Sequence, residues 1–176
     1  MLTPVSRSQR RAAEGRFAIV ASRYNARFVD AMVRAAKAEL AGAGIKDPLV
    51  VRVPGAYEIP IVAMRLARAG ALQAARPSTL PGAMPRHETR STESEPLSAI
   101  ICLGVILRGE TTHAAHIAEA VSRALMQIQL EHEVPVIHEV LLLENVAQAR
   151  ARCLSRDHNR GTEAAQTALA MAKLLS

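Results

Sequence analysis

The feature that most constrains the fold is an apolar run from Ala99 to Leu107, with no polar residue in it. A run of this length without polar alternation predicts a strand that is covered on both faces, as strands of parallel sheets are. The run ends at Arg108-Gly109 and leads directly into a long helical pattern. Because such a strand needs helices on both sides of its sheet, the pattern favours an α/β fold.

Strands and helices alternate along the rest of the chain. Short β-rich apolar runs at 17–21, 49–53 and 134–142 predict three further strands. Apolar residues at helical spacing predict helices over 28–40, 58–69, 112–130, 146–153 and 162–175, with Gly70 ending the second. Together these elements predict a three-layer α/β/α sandwich of the flavodoxin-like kind, with a four-stranded parallel sheet in the middle layer.

Composition bounds the class of protein. With 176 residues, 49% of them hydrophobic and 22% charged, the chain can bury one core, and we expect a single domain over 16–176. No apolar run is long enough to span a membrane, and no signal peptide opens the chain. Cys102 and Cys153 are interpreted as free thiols. These features predict a cytoplasmic location and no membrane partner.

Two segments differ from this pattern. Residues 1–15 form a basic arm that holds three arginines against one glutamate. Because the chain has only four aromatic residues, it does not resemble a single-strand nucleic-acid binder, and a disordered or assembly-related arm is favoured. Residues 74–96 hold four prolines and no apolar period, which predicts a long inserted loop and leaves a functional lid as an alternative.

Polar and aromatic residues follow the predicted strands. Because the carboxyl ends of parallel strands meet at one edge, where ligands bind in such folds, we expect four segments to lie together there. They are Tyr24-Asn25, the segment 55–58, Gly109 to His113, and the residues after Leu142. The third segment combines a glycine turn, two threonines and a helix start, which suits an anion. The imidazole of His113 beside it suits proton transfer.

The segments that carry these residues resemble the lumazine synthase family. They are SRYN at 22–25, VPGAYEIP at 53–60, LGVILRGETTH at 103–113, VPVIHEVLLLEN at 134–145, and Arg152 followed by NRG at 159–161. Their order and spacing are specific in combination. The resemblance implies a transferase of riboflavin biosynthesis. Such an enzyme condenses 5-amino-6-(D-ribitylamino)uracil with 3,4-dihydroxy-2-butanone 4-phosphate to 6,7-dimethyl-8-ribityllumazine and releases phosphate.

The resemblance also implies a division of roles among the matched residues, with His113 as the catalytic proton-transfer group. The positions matched to the uracil and ribityl groups are Tyr24, Asn25, Ala56, Tyr57, Glu58, Val105, Ile106, Leu107 and His138. The positions matched to the phosphate are Gly109, Glu110, Thr111, Thr112, Arg152 and Arg160. Structural roles stay open beside these: core packing for the side chains of 105–107, helix capping for the threonines and a solvated charge for Arg152.

For assembly, the resemblance implies pentamers, in some family members twelve pentamers packed as a sixty-subunit shell. Each site then lies between subunits, and the neighbouring chain supplies His138 and Arg152. Riboflavin synthase is a candidate protein partner, and neither a metal nor an organic cofactor is implied. The pair His113 and His116, with Glu119 three residues later, leaves a metal site as a minor alternative.

Several positions depart from the family pattern. His138-Glu139 replaces the usual Phe-Gly, and Ala114-Ala115-His116 follow His113 in place of an aromatic residue and an acid. Arg160 stands where the family has a lysine, and the turn at 154–158 lacks the usual glycines. These departures leave two alternatives: a non-catalytic paralogue that binds lumazine or flavin or builds a shell, and the archaeal type of riboflavin synthase.

Overall fold

A computed structural model describes residues 15–74 and 96–176, except for the side chains of 70–74. The predicted basic arm up to residue 14 and the inserted loop from 75 to 95 therefore lie outside the described residues. In chain order the elements are β1 (Arg16–Ser22), α1 (Ala26–Gly42), β2 (Leu49–Val53), α2 (Ile59–Ala74), β3 (Leu97–Leu107), α3 (His113–His132), β4 (Val136–Leu143), α4 (Val146–Cys153) and α5 (Arg160–Leu174).

The strands form one four-stranded sheet in the order β2-β1-β3-β4, and every neighbouring pair is parallel. The central strand β3 aligns its Ile101 with Ile19 of β1 on one side and with Ile137 of β4 on the other. The prediction of a four-stranded parallel sheet with the apolar run as an inner strand is confirmed.

The two faces of the sheet bury separate hydrophobic clusters. Helices α1, α4 and α5 cover one face, where Met32, Ala149 and Ala165 pack with Ile101. Helices α2 and α3 cover the other face with residues that include Ile59, Ala63, Leu125 and Ile128. Because successive residues of β3 enter opposite clusters, almost every position of that strand must be apolar. This arrangement accounts for the run in the sequence.

Helix α2 differs most from its prediction, because it continues through Gly70 to Ala74. A glycine inside a helix costs about 1 kcal/mol relative to alanine. That cost is too small to end a helix whose inner face is held by the buried Ala63 and Ala67. The expected end at Gly70 was therefore wrong.

The start of α5 also lies two residues before its predicted position. The Asn159 side chain accepts a hydrogen bond from the Gly161 N–H at 2.9 Å and caps the helix. A Cβ on Gly161 would lie only 2.0 Å from the Met32 carbonyl oxygen, so this glycine permits the close approach of α5 to α1. That contact fixes where α5 and its first residue, Arg160, lie against the sheet.

The two cysteines are free and buried, as predicted. Burial raises the pKa of Cys153 to about 11 and raises the pKa of Cys102 further, so both thiols are protonated near neutral pH. None of the helices within the described parts of the chain is long and apolar enough to cross a membrane.

Candidate active site

The carboxyl ends of the strands bring the predicted segments to one edge of the sheet. Ser22 pairs with Val53 where β1 and β2 end, and Leu107 pairs with Leu143 where β3 and β4 end. The segments that follow these four residues contain most of the residues predicted to contact substrate. The exceptions are Val105, Ile106 and Leu107 at the end of β3, His138 within β4, and Arg152 and Arg160 on α4 and α5. The strand order therefore puts them on a common rim, as expected for a parallel sheet.

Asn25 fixes the loop after β1 to the end of β3. Its Nδ2 donates a hydrogen bond to the Val105 carbonyl at 2.8 Å. Its backbone is left-handed, with φ of 55°, a conformation that asparagine tolerates better than most residues. The sequence predicted a substrate contact for Asn25. The structure adds a role in holding two strand ends together, which only the fold could show.

The loop after β2 lies against Tyr24. The Gly55 N–H donates to Oε2 of Glu58 at 2.8 Å. A Cβ on Gly55 would lie 2.9 Å from that oxygen and 3.2 Å from Cδ2 of Tyr24, so the glycine lets ring and carboxylate converge. Both rings at this edge are open to solvent, since Tyr24 is 72% exposed and Tyr57 is 63% exposed. An exposed ring that packs into no core is available to stack on a ligand.

Four other predicted substrate positions belong largely to the core. Ala56 is buried in the cluster beneath α2, and Val105 is buried in the cluster beneath α1. Ile106 and Leu107 are half-buried against these clusters. The core interpretation is confirmed for the side chain of Val105, and the side chains of Ile106 and Leu107 pack partly against the core.

The segment from Arg108 to His113 is exposed and leads into α3. The Arg108 N–H donates to the Leu143 carbonyl at 2.8 Å, and its guanidinium lies 3.5 Å from the Glu144 carboxylate. A Cβ on Gly109 would meet no atom within 4 Å, so there is open space beside the backbone there. This segment is anchored at its start and accessible over its length.

The threonines of this segment are exposed, as are Glu110 and His113. Thr112 is the N-cap residue of α3, but its side chain makes no capping hydrogen bond. The capping interpretation is therefore wrong for Thr112. Its hydroxyl is accessible at the positive end of the helix dipole, where anions bind favourably.

His113 is the first residue of α3, and His116 is exposed on the same helix. Within the described ranges, no three His, Cys, Asp or Glu side chains are grouped so that they could hold a metal ion. The H-x-x-H pair accordingly gains no support as a metal site. An exposed imidazole at a helix start can reach a ligand on the rim.

The two residues that replace the family's Phe-Gly point to opposite faces of β4. His138 is exposed on the face toward α3, where its Nε2 lies 2.9 Å from Oγ of Ser122. Glu139 lies on the other face, toward α5, and is half-buried. Strand alternation separates them, so each substitution changes a different environment.

The predicted phosphate arginines lie on α4 and α5. Arg152 is exposed near the end of α4, and the side chain of Arg160 at the start of α5 is 16% exposed. Nη1 of Arg160 donates to Oε2 of Glu163 at 2.5 Å and lies 3.9 Å from Oε1 of Glu139. Arg160 is therefore held by two carboxylates within its own subunit.

The surroundings of Glu139 could not be predicted from the sequence. Burial raises its pKa to about 7, although the guanidinium groups of Arg160 and Arg152 act to lower it. The i,i+3 spacing of Arg160 and Glu163 was visible in the sequence as a helical pair. Glu139 lies on a different element, and only the packing of α5 on β4 brings it to Arg160.

Taken together, these features define an α/β protein with a candidate site at the carboxyl edge of a parallel sheet, the place where enzymes of this architecture bind ligands. Exposed aromatic rings, hydroxyls and an imidazole surround that edge.

The model of the 6,7-dimethyl-8-ribityllumazine synthase family matches residues 14–176. A 6,7-dimethyl-8-ribityllumazine synthase from Stenotrophomonas maltophilia is 41% identical over 162 residues, which cover 91% of this chain and 88% of the relative. Relatives of the same name from Xanthomonas euvesicatoria and Xanthomonas axonopodis are 40% identical, with 91% of this chain and 89% of each relative covered. The chain belongs to the 6,7-dimethyl-8-ribityllumazine synthase family, as the sequence motifs predicted.

Proposed function

We propose that this chain is a transferase that condenses 5-amino-6-(D-ribitylamino)uracil with 3,4-dihydroxy-2-butanone 4-phosphate. The product is 6,7-dimethyl-8-ribityllumazine, and phosphate and water are released. The observation that carries the proposal is the family match over residues 14–176. The convergence of the motif segments on one sheet edge supports it. The non-catalytic alternative and the archaeal riboflavin synthase alternative are not favoured by the relatives' names.

The proposed roles are those that the family resemblance implies for each matched residue. The ring of Tyr24 stacks on the uracil, while Tyr57 and the backbone of 105–107 border the heterocycle. One carboxylate oxygen of Glu58 accepts a hydrogen bond from the Gly55 N–H. In the proposed complex, this carboxylate faces the polar substituents of the uracil substrate. His113 moves protons as the amine attacks the ketone, a role that typically contributes about 10²–10⁴-fold to rate.

The phosphate is proposed to bind the accessible segment 109–112 together with Arg152 and Arg160. Backbone N–H groups and hydroxyls at a helix start suit an anion, and arginine adds a planar bidentate donor. The side chain of Glu110 points away from the phosphate in this arrangement, because like charges repel. His138 replaces an aromatic stacking residue with a smaller imidazole, so we expect weaker stacking on the heterocycle from that side.

Self-association completes the proposal, with a second copy of this chain covering α3. The exposed face of α3 carries Ser122, Arg123, Met126, Gln127, Leu130 and Glu131. Met126 is 56% exposed and Leu130 is 71% exposed, and such apolar patches mark interaction surfaces. His138 contacts Ser122 on this same surface, so a neighbouring chain seated there would meet it. The pentamer, the shell, riboflavin synthase as a partner and the cytoplasmic location stay predictions.

The test of the reaction is incubation of the purified full chain with both substrates while the lumazine absorbance is recorded. We expect product well above the uncatalysed rate. Product at the uncatalysed rate would overturn the proposal. Binding of riboflavin without turnover would select the non-catalytic alternative, and conversion of lumazine to riboflavin would select the archaeal type of riboflavin synthase.

Arg152→Ala tests the phosphate assignment. Loss of charge-assisted hydrogen bonds should raise the apparent KM for the phosphate substrate by about tenfold or more, and leave the KM for the uracil substrate within about twofold. Arg150→Ala is the matched control, since Arg150 is an exposed arginine on the same short helix. Equal effects of the two variants on the phosphate KM would contradict the assignment.

A further inference from the structure

The two arginines proposed to bind phosphate both lie within electrostatic reach of one carboxylate, that of Glu139. Glu139 lies 3.9 Å from Arg160, and the side chains of both residues are only 16% exposed. Partly buried charges are screened far less than surface charges, so the ionisation of Glu139 acts strongly on its neighbours.

The charged and titratable groups around Glu139 come from two helices. Helix α5 contributes Arg160 and Glu163, and helix α4 contributes Arg152 and Cys153. Cys153 stays a neutral thiol near neutral pH, since its pKa is raised to about 11. The cluster therefore holds two cations and two carboxylates. It is neutral when Glu139 is ionised and carries one positive charge when Glu139 is protonated.

A phosphate dianion that binds this cluster competes with Glu139 for the same guanidinium groups. When Glu139 is ionised, Arg160 is already paired with two carboxylates and a third anion is repelled. When Glu139 is protonated, that repulsion is removed and the net positive charge attracts the phosphate. The affinity for phosphate and the affinity of Glu139 for a proton are therefore coupled.

We propose that Glu139 sets the phosphate affinity of Arg152 and Arg160 by taking up a proton from solvent when the phosphate-bearing substrate binds. Glu139 is a positioning residue here, because it acts through the arginines and touches no reacting atom. The inference rests on the proposed function, which assigns the phosphate to these arginines. Burial holds the pKa of Glu139 at about 7, so the device operates near neutral pH.

The kinetic test measures the KM for the phosphate substrate at about pH 6 and about pH 8.5, on either side of that pKa. At the higher pH, we expect the KM of the unaltered protein to be about tenfold higher than that of Glu139→Gln. At the lower pH, we expect the two KM values to agree within about twofold. The ionisation of the phosphate itself is the same for both proteins, so it cancels in the ratio. Glu144→Gln is the matched control, since Glu144 is an exposed acid that directly follows the same strand.

A binding test uses inorganic phosphate, titrated calorimetrically at about pH 8 in two buffers of different ionisation enthalpy. The unaltered protein should take up more protons for each phosphate bound than Glu139→Gln does. Glu139→Gly, which removes the side chain altogether, should behave like Glu139→Gln. Agreement between the two variants shows that the effect does not come from the introduced amide.

The outcomes separate the inference from the proposed function. Lumazine formation with the same pH dependence of KM in the unaltered protein and both Glu139 variants would overturn the inference alone. An absence of lumazine at either pH, with proton-coupled phosphate binding that Glu139→Gln abolishes, would overturn the proposed reaction and support the inference. Phosphate binding without any difference in proton uptake would overturn the inference.

Discussion

Asn25 and Glu58 shape the candidate site at the scale of single residues. One donates across the sheet edge to the end of β3, and the other accepts from the Gly55 N–H. Each hydrogen bond stabilises a strand-end loop of the rim in the absence of a ligand. Tyr24, Tyr57 and His113 are exposed at this rim, and we propose that they contact the substrates.

His113→Ala should lower kcat by about 10²–10⁴-fold. Since the imidazole is exposed at the start of α3 and outside the core, the affinity for the uracil substrate should stay within about twofold. Lumazine absorbance gives kcat, and direct titration gives the dissociation constant. His116→Ala, on the same exposed stretch of α3, is the control and should leave kcat nearly unchanged. A kcat for His113→Ala equal to that of the control would contradict the catalytic role.

The raised pKa of Glu139 predicts how the free energy of unfolding depends on pH. Its pKa rises from an ordinary value of 4.5 to about 7 on folding, so the folded state binds the proton more tightly. The resulting stabilisation is fully present below pH 4.5 and is lost as the pH rises through about 7. In the unaltered protein, this loss lowers the free energy of unfolding by about 3 kcal/mol as the pH rises. We expect Glu139→Gln to lack this decrease.

The measurement is the free energy of unfolding by urea, taken at fixed protein concentration across that pH range. The difference between the unaltered protein and Glu139→Gln isolates this residue from the other acids. Parallel curves would show that the carboxyl group keeps its ordinary pKa in the folded chain.

At the scale of elements, the crossing of α1 and α5 depends on Gly161. An alanine Cβ there would approach the Met32 backbone, which cannot move aside as a flexible side chain could. Gly161→Ala should therefore lower the free energy of unfolding by about 1–3 kcal/mol, despite the better helix propensity of alanine. Gly109→Ala is the control for stability, since its Cβ would meet open space. A Gly161→Ala variant as stable as the control would show that the helices separate at little cost.

Element order, sheet type and the common rim followed from the sequence, because apolar periodicity and the ends of strands depend on local patterns. The end of α2 could not be predicted from Gly70, since the outcome depended on burial of Ala63 and Ala67. The link between Glu139 and Arg160 likewise required the packing of α5 against β4. Local sequence patterns therefore predicted which residues are candidates, while the contacts of those residues depend on tertiary packing.

At the scale of the whole molecule, the exposed apolar face of α3 predicts association between copies of this chain. Leu130→Glu places a charge on this apolar face of α3. We therefore expect the native mass of the variant to be lower than that of the unaltered protein. Native mass spectrometry or light scattering measures this directly, with a five-subunit particle or a multiple of it expected for the unaltered chain. Leu174→Glu, an equally exposed leucine near the end of α5, is the control. A monomeric unaltered chain would contradict the shared site.

The register of β1 and β3 has a consequence for how this chain can be varied. Arg16 pairs with Leu97, so the segment before β1 and the segment before β3 join the sheet side by side. Both junctions lie at the amino edge, opposite the rim that carries Tyr24 and His113. A label attached directly before Arg16 or directly before Leu97 would therefore start at the edge of the sheet opposite the proposed site.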